Sequence, residues 1–155
     1  MPAGADCVLN GVTVRGGVTV LAGGNFWAFN SEIRGAVVAN PGSLGVALKD
    51  HSVVRGPVTI TQLAQRAFVQ TTEVRGNLTI TDSGGSGVIA LRVSSSVIRG
   101  SVIIVRNGIT DFPSPELHNN TIDVDLICEE NTGLGVVSLN PTGNVVGGAT
   151  IGDCS

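Results

Sequence analysis

The sequence is poor in aromatic and charged residues, and it shows no pattern typical of helices. Only 3% of its 155 residues are aromatic and 14% are charged. No stretch repeats apolar residues at helical spacing for long enough to predict a helix, and the apolar runs are too short to cross a membrane. Hydrophobic residues still make up 42% of the chain. We therefore expect a β-rich core and no membrane insertion.

Motifs that carry common enzymatic chemistry are also absent. The chain has no P-loop, no nucleophile elbow and no zinc-ligand spacing. Its two histidines, His51 and His118, lie in different parts of the sequence. We therefore predict that the chain is not an enzyme and needs no cofactor.

A group of acidic residues near the end leaves two alternatives open. Asp123 and Asp125 are two residues apart, which places them on one face of a strand. Glycosidases use two carboxylates, so a glycosidase or polysaccharide lyase is the enzymatic alternative. Asp123, Asp125 and Glu129 together form the alternative calcium site, because calcium prefers oxygen ligands.

What the sequence does contain is a repeat of about 20 residues. A valine or isoleucine precedes Arg-Gly five times, and the intervals between the arginines are 19, 21, 20 and 24 residues. We call these arginines the arginine ladder: Arg15, Arg34, Arg55, Arg75 and Arg99. The four residues after each Arg-Gly alternate in polarity, as in a short strand with one buried face. Each unit therefore predicts a strand, a glycine bend, a second strand and a loop.

Two further copies extend the repeat to seven, with Asp123 and Gly147 in place of arginine. Stacked units of 19–24 residues favour a right-handed parallel β-helix, in which each strand pairs with its equivalents one coil above and below. We predict a single all-β solenoid domain over residues 1–155, with about seven coils. The coils are phased on Gly16, Gly35, Gly56, Gly76, Gly100, Val124 and Gly148.

The largest departure from the repeat is the segment 107–118, which contains Pro113 and Pro115. We predict that it protrudes as a loop. Functional groups favour loops on rigid scaffolds, so this loop is a candidate functional element, with a tolerated insertion as the simpler explanation.

Charge is divided unevenly along the chain. Up to Arg106 there are nine basic and five acidic residues, whereas from Asp111 onward there are seven acidic residues and no basic one. Sequence position maps onto height in a solenoid, so the rod is predicted to carry +4 toward one end and −7 toward the other. Such a dipole favours head-to-tail stacking into a homo-oligomer.

The arginine ladder has two interpretations. Guanidinium groups in register form a strip that suits an acidic glycan or another polyanion. Alternatively, the arginine stems cover the bend while the charged ends stay in water. Two acids, Glu32 and Glu73, lie on the same outward face and can pair with arginines of their own or an adjacent coil. No aromatic residues interleave with the ladder, so we expect no nucleic-acid binding.

The cysteines predict one disulfide. Cys128 and Cys154 are 26 residues apart, close to one coil, and equivalent positions in adjacent coils lie about 4.8 Å apart, within reach of a disulfide. Cys7, in the first coil, is predicted to be free or bonded to another chain. A disulfide implies export to an oxidising compartment, and the absence of an apolar signal segment predicts that a leader has been removed.

Two parts of the sequence carry a resemblance to a known family: residues 2–20 at the start, and 126–131, 141–148 and Asp153-Cys154 at the end. These segments resemble secreted, Gly/Val-rich repeat proteins of actinobacteria. The family repeats usually have Gly or Asn where this chain has Arg. The resemblance implies an exported right-handed β-helix with a C-terminal disulfide, and almost nothing about activity. The spacing is also similar to the wider pectate-lyase-like class, which includes carbohydrate enzymes and phage tailspikes.

From these features we predict a non-enzymatic extracellular module with a structural, surface or adhesive role. The alternative is a β-helix that binds a carbohydrate or polyanion, or processes a polysaccharide, as part of a phage tail or a secreted effector.

Overall fold

The computed structural model describes residues 1–84, 89–110, 116–132 and 143–154. The described residues form β-strands and turns. They contain no helix long and apolar enough to cross a membrane. The strands belong to three parallel sheets, and over most of the chain successive strands visit the three sheets in turn.

Over most of the chain, every third strand belongs to the same sheet. Sheet one contains β1 (Asp6–Asn10), β4 (Asn25–Phe29), β7 (Gly45–Lys49), β10 (Arg66–Gln70), β13 (Ile89–Ser94), β16 (Ile109–Thr110) and β17 (Glu116–His118). Sheet two contains β2 (Thr13–Val14), β5 (Glu32–Ile33), β8 (Val53–Val54), β11 (Glu73–Val74), β14 (Val97–Ile98), β18 (Thr121–Ile122) and β20 (Val145–Val146). Sheet three contains β3 (Val18–Val20), β6 (Val37–Ala39), β9 (Val58–Thr61), β12 (Leu78–Thr81), β15 (Val102–Val105), β19 (Leu126–Glu129) and β21 (Thr150–Gly152).

This arrangement confirms the predicted all-β parallel solenoid. Sheets two and three each have seven strands in coil order, so the chain makes about six full turns between its first and last strands. Sheet two aligns the residues that precede each arginine, so the predicted phase positions lie at equivalent places in successive coils. The right hand of the coil stays a prediction.

The sequence analysis predicted two strands and a loop in each coil, and the third strand corrects that interpretation. Sheet one is formed by the segments taken as loops. For example, β4 (Asn25–Phe29) lies between the second strand of one repeat and the first strand of the next. The correction matters because a third sheet adds an outer face to the solenoid, and alternate side chains of its strands point to that face.

Alternation within the strands builds one continuous core. Inward-facing aliphatic side chains from all three sheets, such as Leu48, Val74 and Ile80, are fully buried. Close stacking of the coils requires glycine at four of the five Arg-Gly positions, Gly35, Gly56, Gly76 and Gly100. A Cβ on Gly56 would lie 2.8 Å from the backbone nitrogen of Ala36 in the coil below, closer than two such atoms can approach.

Buried polar side chains hold the corner between sheets one and two. Residues just after sheet one adopt the left-handed conformation, and the next residue places a hydroxyl or amide inside the corner. Backbone nitrogens donate to these groups one coil further on, from Ser96 to Asn120 Oδ1 (3.0 Å) and from Asn120 to Asn144 Oδ1 (2.9 Å). We call this column the corner ladder: Ser31, Ser52, Thr72, Ser96, Asn120 and Asn144.

The predicted protruding loop 107–118 is corrected at both ends. Asn107 is 1% exposed, and its Oδ1 accepts a hydrogen bond from the Ser83 backbone. The strands β16 and β17 both pair with β13. An asparagine that suggests a loop in the sequence therefore serves as a buried corner residue, and only the segment 111–115 lies outside the described residues.

The disulfide between Cys128 and Cys154 is confirmed. Their Cα atoms are 5.3 Å apart, and both residues are buried. The bond ties β19 to the turn after β21, the last strand of sheet three. Cys7 lies in β1 as a partly buried free cysteine.

Candidate functional site

The arginine ladder lies on the outer side of the corner that follows sheet two. All five arginines are exposed, and the side chains of the last four are 45–52% accessible. The ladder therefore has the exposure that an anion-binding strip needs, and its electrostatics depend on the acids beside it.

Near the start of the ladder, one glutamate contacts arginines of two successive coils. Glu32 Oε1 accepts a hydrogen bond from Arg55 Nε, and Glu32 Oε2 lies 3.7 Å from Arg34 Nε. The hydrogen bond from Arg55 is the main cause that holds the pKa of Glu32 below its usual value, and the charges of both arginines add to it.

The pattern repeats two coils later. Glu73 Oε1 lies 3.2 Å from Arg75 Nε and 3.7 Å from Arg99 Nε. Asp123, which replaces arginine in the next coil, lies 3.4 Å from Arg99 Nη1. The register explains the spacing, because the column two residues before the arginines reads Glu32, Val53, Glu73 and Val97 over four successive coils.

Ion pairing therefore neutralises most of the ladder. Four of its five arginines have an acidic partner, and among the described residues Arg15 has none. A polyanion at this strip would compete with carboxylates already in place. The geometry favours the interpretation in which the arginines cover the bend of the solenoid.

The acids considered for calcium or glycosidase chemistry have other partners. Asp123 pairs with Arg99, and Asp125 Oδ1 accepts a hydrogen bond from the Ala149 backbone at 2.8 Å. Among the residues that the structure describes, no group of three His, Cys, Asp or Glu side chains, Glu129 included, is placed to hold a metal ion. These alternatives gain no support from the geometry.

The outer face of sheet one carries a group that the sequence analysis missed. Trp27, Phe29 and Phe68 are all partly exposed in β4 and β10, because alternation turns them away from the core. Trp27 pairs with Ala47, and Ala47 pairs with Phe68. We call the group around these rings the aromatic–basic face: Trp27, Phe29, Ala47, Lys49, Arg66 and Phe68.

A small residue makes this face concave. Ala47 points outward between Trp27 and Phe68, yet it is only 3% exposed because the larger neighbours cover it. The resulting cleft has a volume of about 160 Å³, below the roughly 300–1,000 Å³ of an enclosed small-molecule site. It suits a ring or short segment of a polymer lying on the surface.

Two cations of the face lie beside its rings without an acidic partner. Lys49 Nζ is 5.1 Å from the centroid of the Phe68 ring, and the Arg66 guanidinium is 5.9 Å from that of Trp27. Both distances allow cation–π attraction. The nearby Arg92 differs, because it pairs with Glu116 at 3.0 Å. No described acid lies within ion-pair distance of Lys49 or Arg66.

The sequence does hold a signal for this face. Trp27 and Phe29 are two residues apart, so they point the same way in a strand. Phe68 follows Trp27 by 41 residues, which is two coils of the repeat. The scarcity of aromatic residues makes their convergence informative, once the segment that carries them is recognised as a strand.

Comparisons with protein-family models, with curated proteins and with solved structures found no match to this chain.

Proposed function

We propose that this chain is a non-enzymatic module of an extracellular surface that adheres to carbohydrate through the aromatic–basic face. The observation that carries the proposal is the convergence of Trp27, Phe29 and Phe68 around the Ala47 floor. The C–H groups on the flat side of a sugar ring carry partial positive charge, and they pack well on the negative face of an aromatic ring.

The scaffold suits a polymer that lies across the coils. Trp27 and Phe68 are separated by one intervening strand, so their backbones lie about 10 Å apart. Their strands are hydrogen-bonded into sheet one, which fixes this spacing before a ligand arrives. A preformed pair of rings reduces the ordering cost that weakens binding by flexible surfaces.

The extracellular setting belongs to the proposal. The disulfide supports an oxidising compartment, and the resemblance to secreted bacterial repeat proteins points the same way. A phage tail or secreted effector remains the alternative setting for the same binding face.

Self-association is a second proposed property, supported by the open edges of the coil. Among the described strands of sheets two and three, the first strands β2 and β3 and the last strands β20 and β21 each pair on one side only. Because all strands are parallel, the edge of one copy can pair with the opposite edge of another, assisted by the charge difference along the chain. Light scattering across ionic strength tests this property, and a monomer at every salt and protein concentration would remove it.

A polysaccharide pull-down tests the adhesive function. Trp27→Ala combined with Phe68→Ala should abolish retention on the polysaccharides that retain the wild type. Ile103→Ala, on the outer face of sheet three, is the matched control for loss of an outward apolar side chain. Failure of the wild type to bind any polysaccharide, or full retention of the double variant, would overturn the proposal.

A further inference from the structure

We infer that the ligand of the aromatic–basic face is an acidic glycan, whose carboxylate or sulfate groups contact Lys49 and Arg66. The inference rests on the proposed function and specifies its ligand class. It follows from which basic residues have an acidic partner and which do not.

The chain has nine basic residues, and six of them form ion pairs with described acids. Those six comprise four ladder arginines, Arg92 with Glu116, and Arg106 with Asp82. The three without an acidic partner among the described residues are Arg15, Lys49 and Arg66. Two of these three therefore lie in one cleft, in a chain whose net charge is −3.

Each unpaired cation stands beside a ring that is suited to stack on a sugar. Lys49 lies by Phe68 and Arg66 by Trp27, so one ligand unit can contact a ring and a cation together. The guanidinium of Arg66 also donates to Gln65 Oε1 at 3.2 Å, which leaves other N–H groups for an anion. Its planar fork matches a carboxylate or sulfate, and the Lys49 ammonium acts as a point charge.

Single-stranded nucleic acid is the competing class, because it also uses aromatic rings and cations. The spacing of the rings favours the glycan. Successive stacked bases lie about 3.4 Å apart, whereas Trp27 and Phe68 stand two strand spacings, about 10 Å, apart.

The experiment compares a polyuronate with its methyl ester, which keeps the sugar rings but removes the charge. Calorimetric titration of the wild type should show roughly tenfold tighter binding to the acid than to the ester at low salt, and added salt should reduce the difference. Lys49→Gln combined with Arg66→Gln should bind both polymers with the affinity that the wild type shows for the ester. The charge-matched control, Arg55→Gln with Arg75→Gln, should keep the preference for the acid.

The possible outcomes separate the acidic ligand from carbohydrate adhesion. Equal wild-type affinity for acid and ester, or a preference unchanged in the Lys49→Gln, Arg66→Gln variant, overturns the acidic ligand and leaves carbohydrate adhesion standing. Failure to bind either polymer or any neutral polysaccharide overturns both claims. An oligo(dT) that displaces the polyuronate at equal charge concentration assigns the face to nucleic acid instead.

Discussion

The arginine ladder and the aromatic–basic face occupy two sides of the same solenoid, and they handle charge in opposite ways. The ladder repeats in five coils, and its acids recur with it, at Glu32, Glu73 and Asp123. The aromatic–basic face is confined to β4, β7 and β10, and Lys49 and Arg66 have no acidic partner there among the described residues. A column that repeats and carries its own acids suits the stacking of coils, whereas a local group that does not repeat is the better candidate for recognition.

The first prediction is that substitutions in a repeated column, such as the corner ladder, lower stability and do not change glycan affinity. Asn120→Ala removes the acceptor of the Ser96 N–H and the donor to the Val93 carbonyl, inside a buried corner. We expect a loss of about 1–3 kcal/mol for each buried group left unpaired, measured by urea denaturation. Glycan affinity should be unchanged at temperatures where the variant is folded.

Asn120→Ser is the matched control for this change. Serine occupies the equivalent position in earlier coils, at Ser52 and Ser96, where its hydroxyl accepts the same backbone hydrogen bond. It should recover part of the lost stability. An Asn120→Ala variant as stable as the wild type would show that the corner ladder does not hold the coils together.

The second prediction concerns the shape of the aromatic–basic face. Ala47→Leu fills the floor between Trp27 and Phe68 from an outward position, so the core is not disturbed. We expect about tenfold weaker glycan binding, because the rings can no longer approach a ligand together. Thr59→Leu, on the outer face of sheet three, serves as the control. If Ala47→Leu binds as tightly as the wild type, the concave shape is irrelevant.

The third and smallest effect concerns the ladder itself. Arg55 and Arg34 hold the pKa of Glu32 below its usual value. This pair therefore contributes stability at pH values above the ordinary glutamate pKa, and the contribution is lost as the pH falls through the lower pKa of the folded state. Glu32→Gln should remove this part of the pH dependence, measured as thermal midpoints between pH 3 and pH 7.

Glycan affinity of Glu32→Gln at neutral pH should match the wild type, because the substitution leaves sheet one intact. A gain of strong polyanion binding by this variant would show that the freed arginines form a usable strip. In that case the ladder would be a masked binding site, and the contrast between the two regions would be one of degree.

The sequence predicts the solenoid well because its determinants repeat. The glycine before each second strand, the alternating aliphatics and the spacing of Cys128 and Cys154 all follow from stacking one coil on another. Sheet one was missed because its residues vary from coil to coil. Its outward column runs through Trp27, Ala47, Phe68, Arg92 and Glu116, whose side chains differ in size and charge.

The candidate site was missed for the same physical reason. Strand pairing constrains the backbone and the inward side chains, and it leaves outward positions free to differ. The ladder was conspicuous because it repeats, but its neutralisation depends on which coils carry glutamate. Asn107 was also assigned to a loop, because the residues around a buried corner asparagine do not distinguish it from an asparagine in a loop.

The single tryptophan of the chain gives the most direct test of the account, because Trp27 lies in the proposed binding cleft. Titration with an acidic oligosaccharide should change its fluorescence saturably, and the change should persist in Arg55→Ala with Arg75→Ala. Loss of the change in that ladder variant, or binding detected by calorimetry without any change in Trp27 emission, would contradict the assignment of recognition to sheet one.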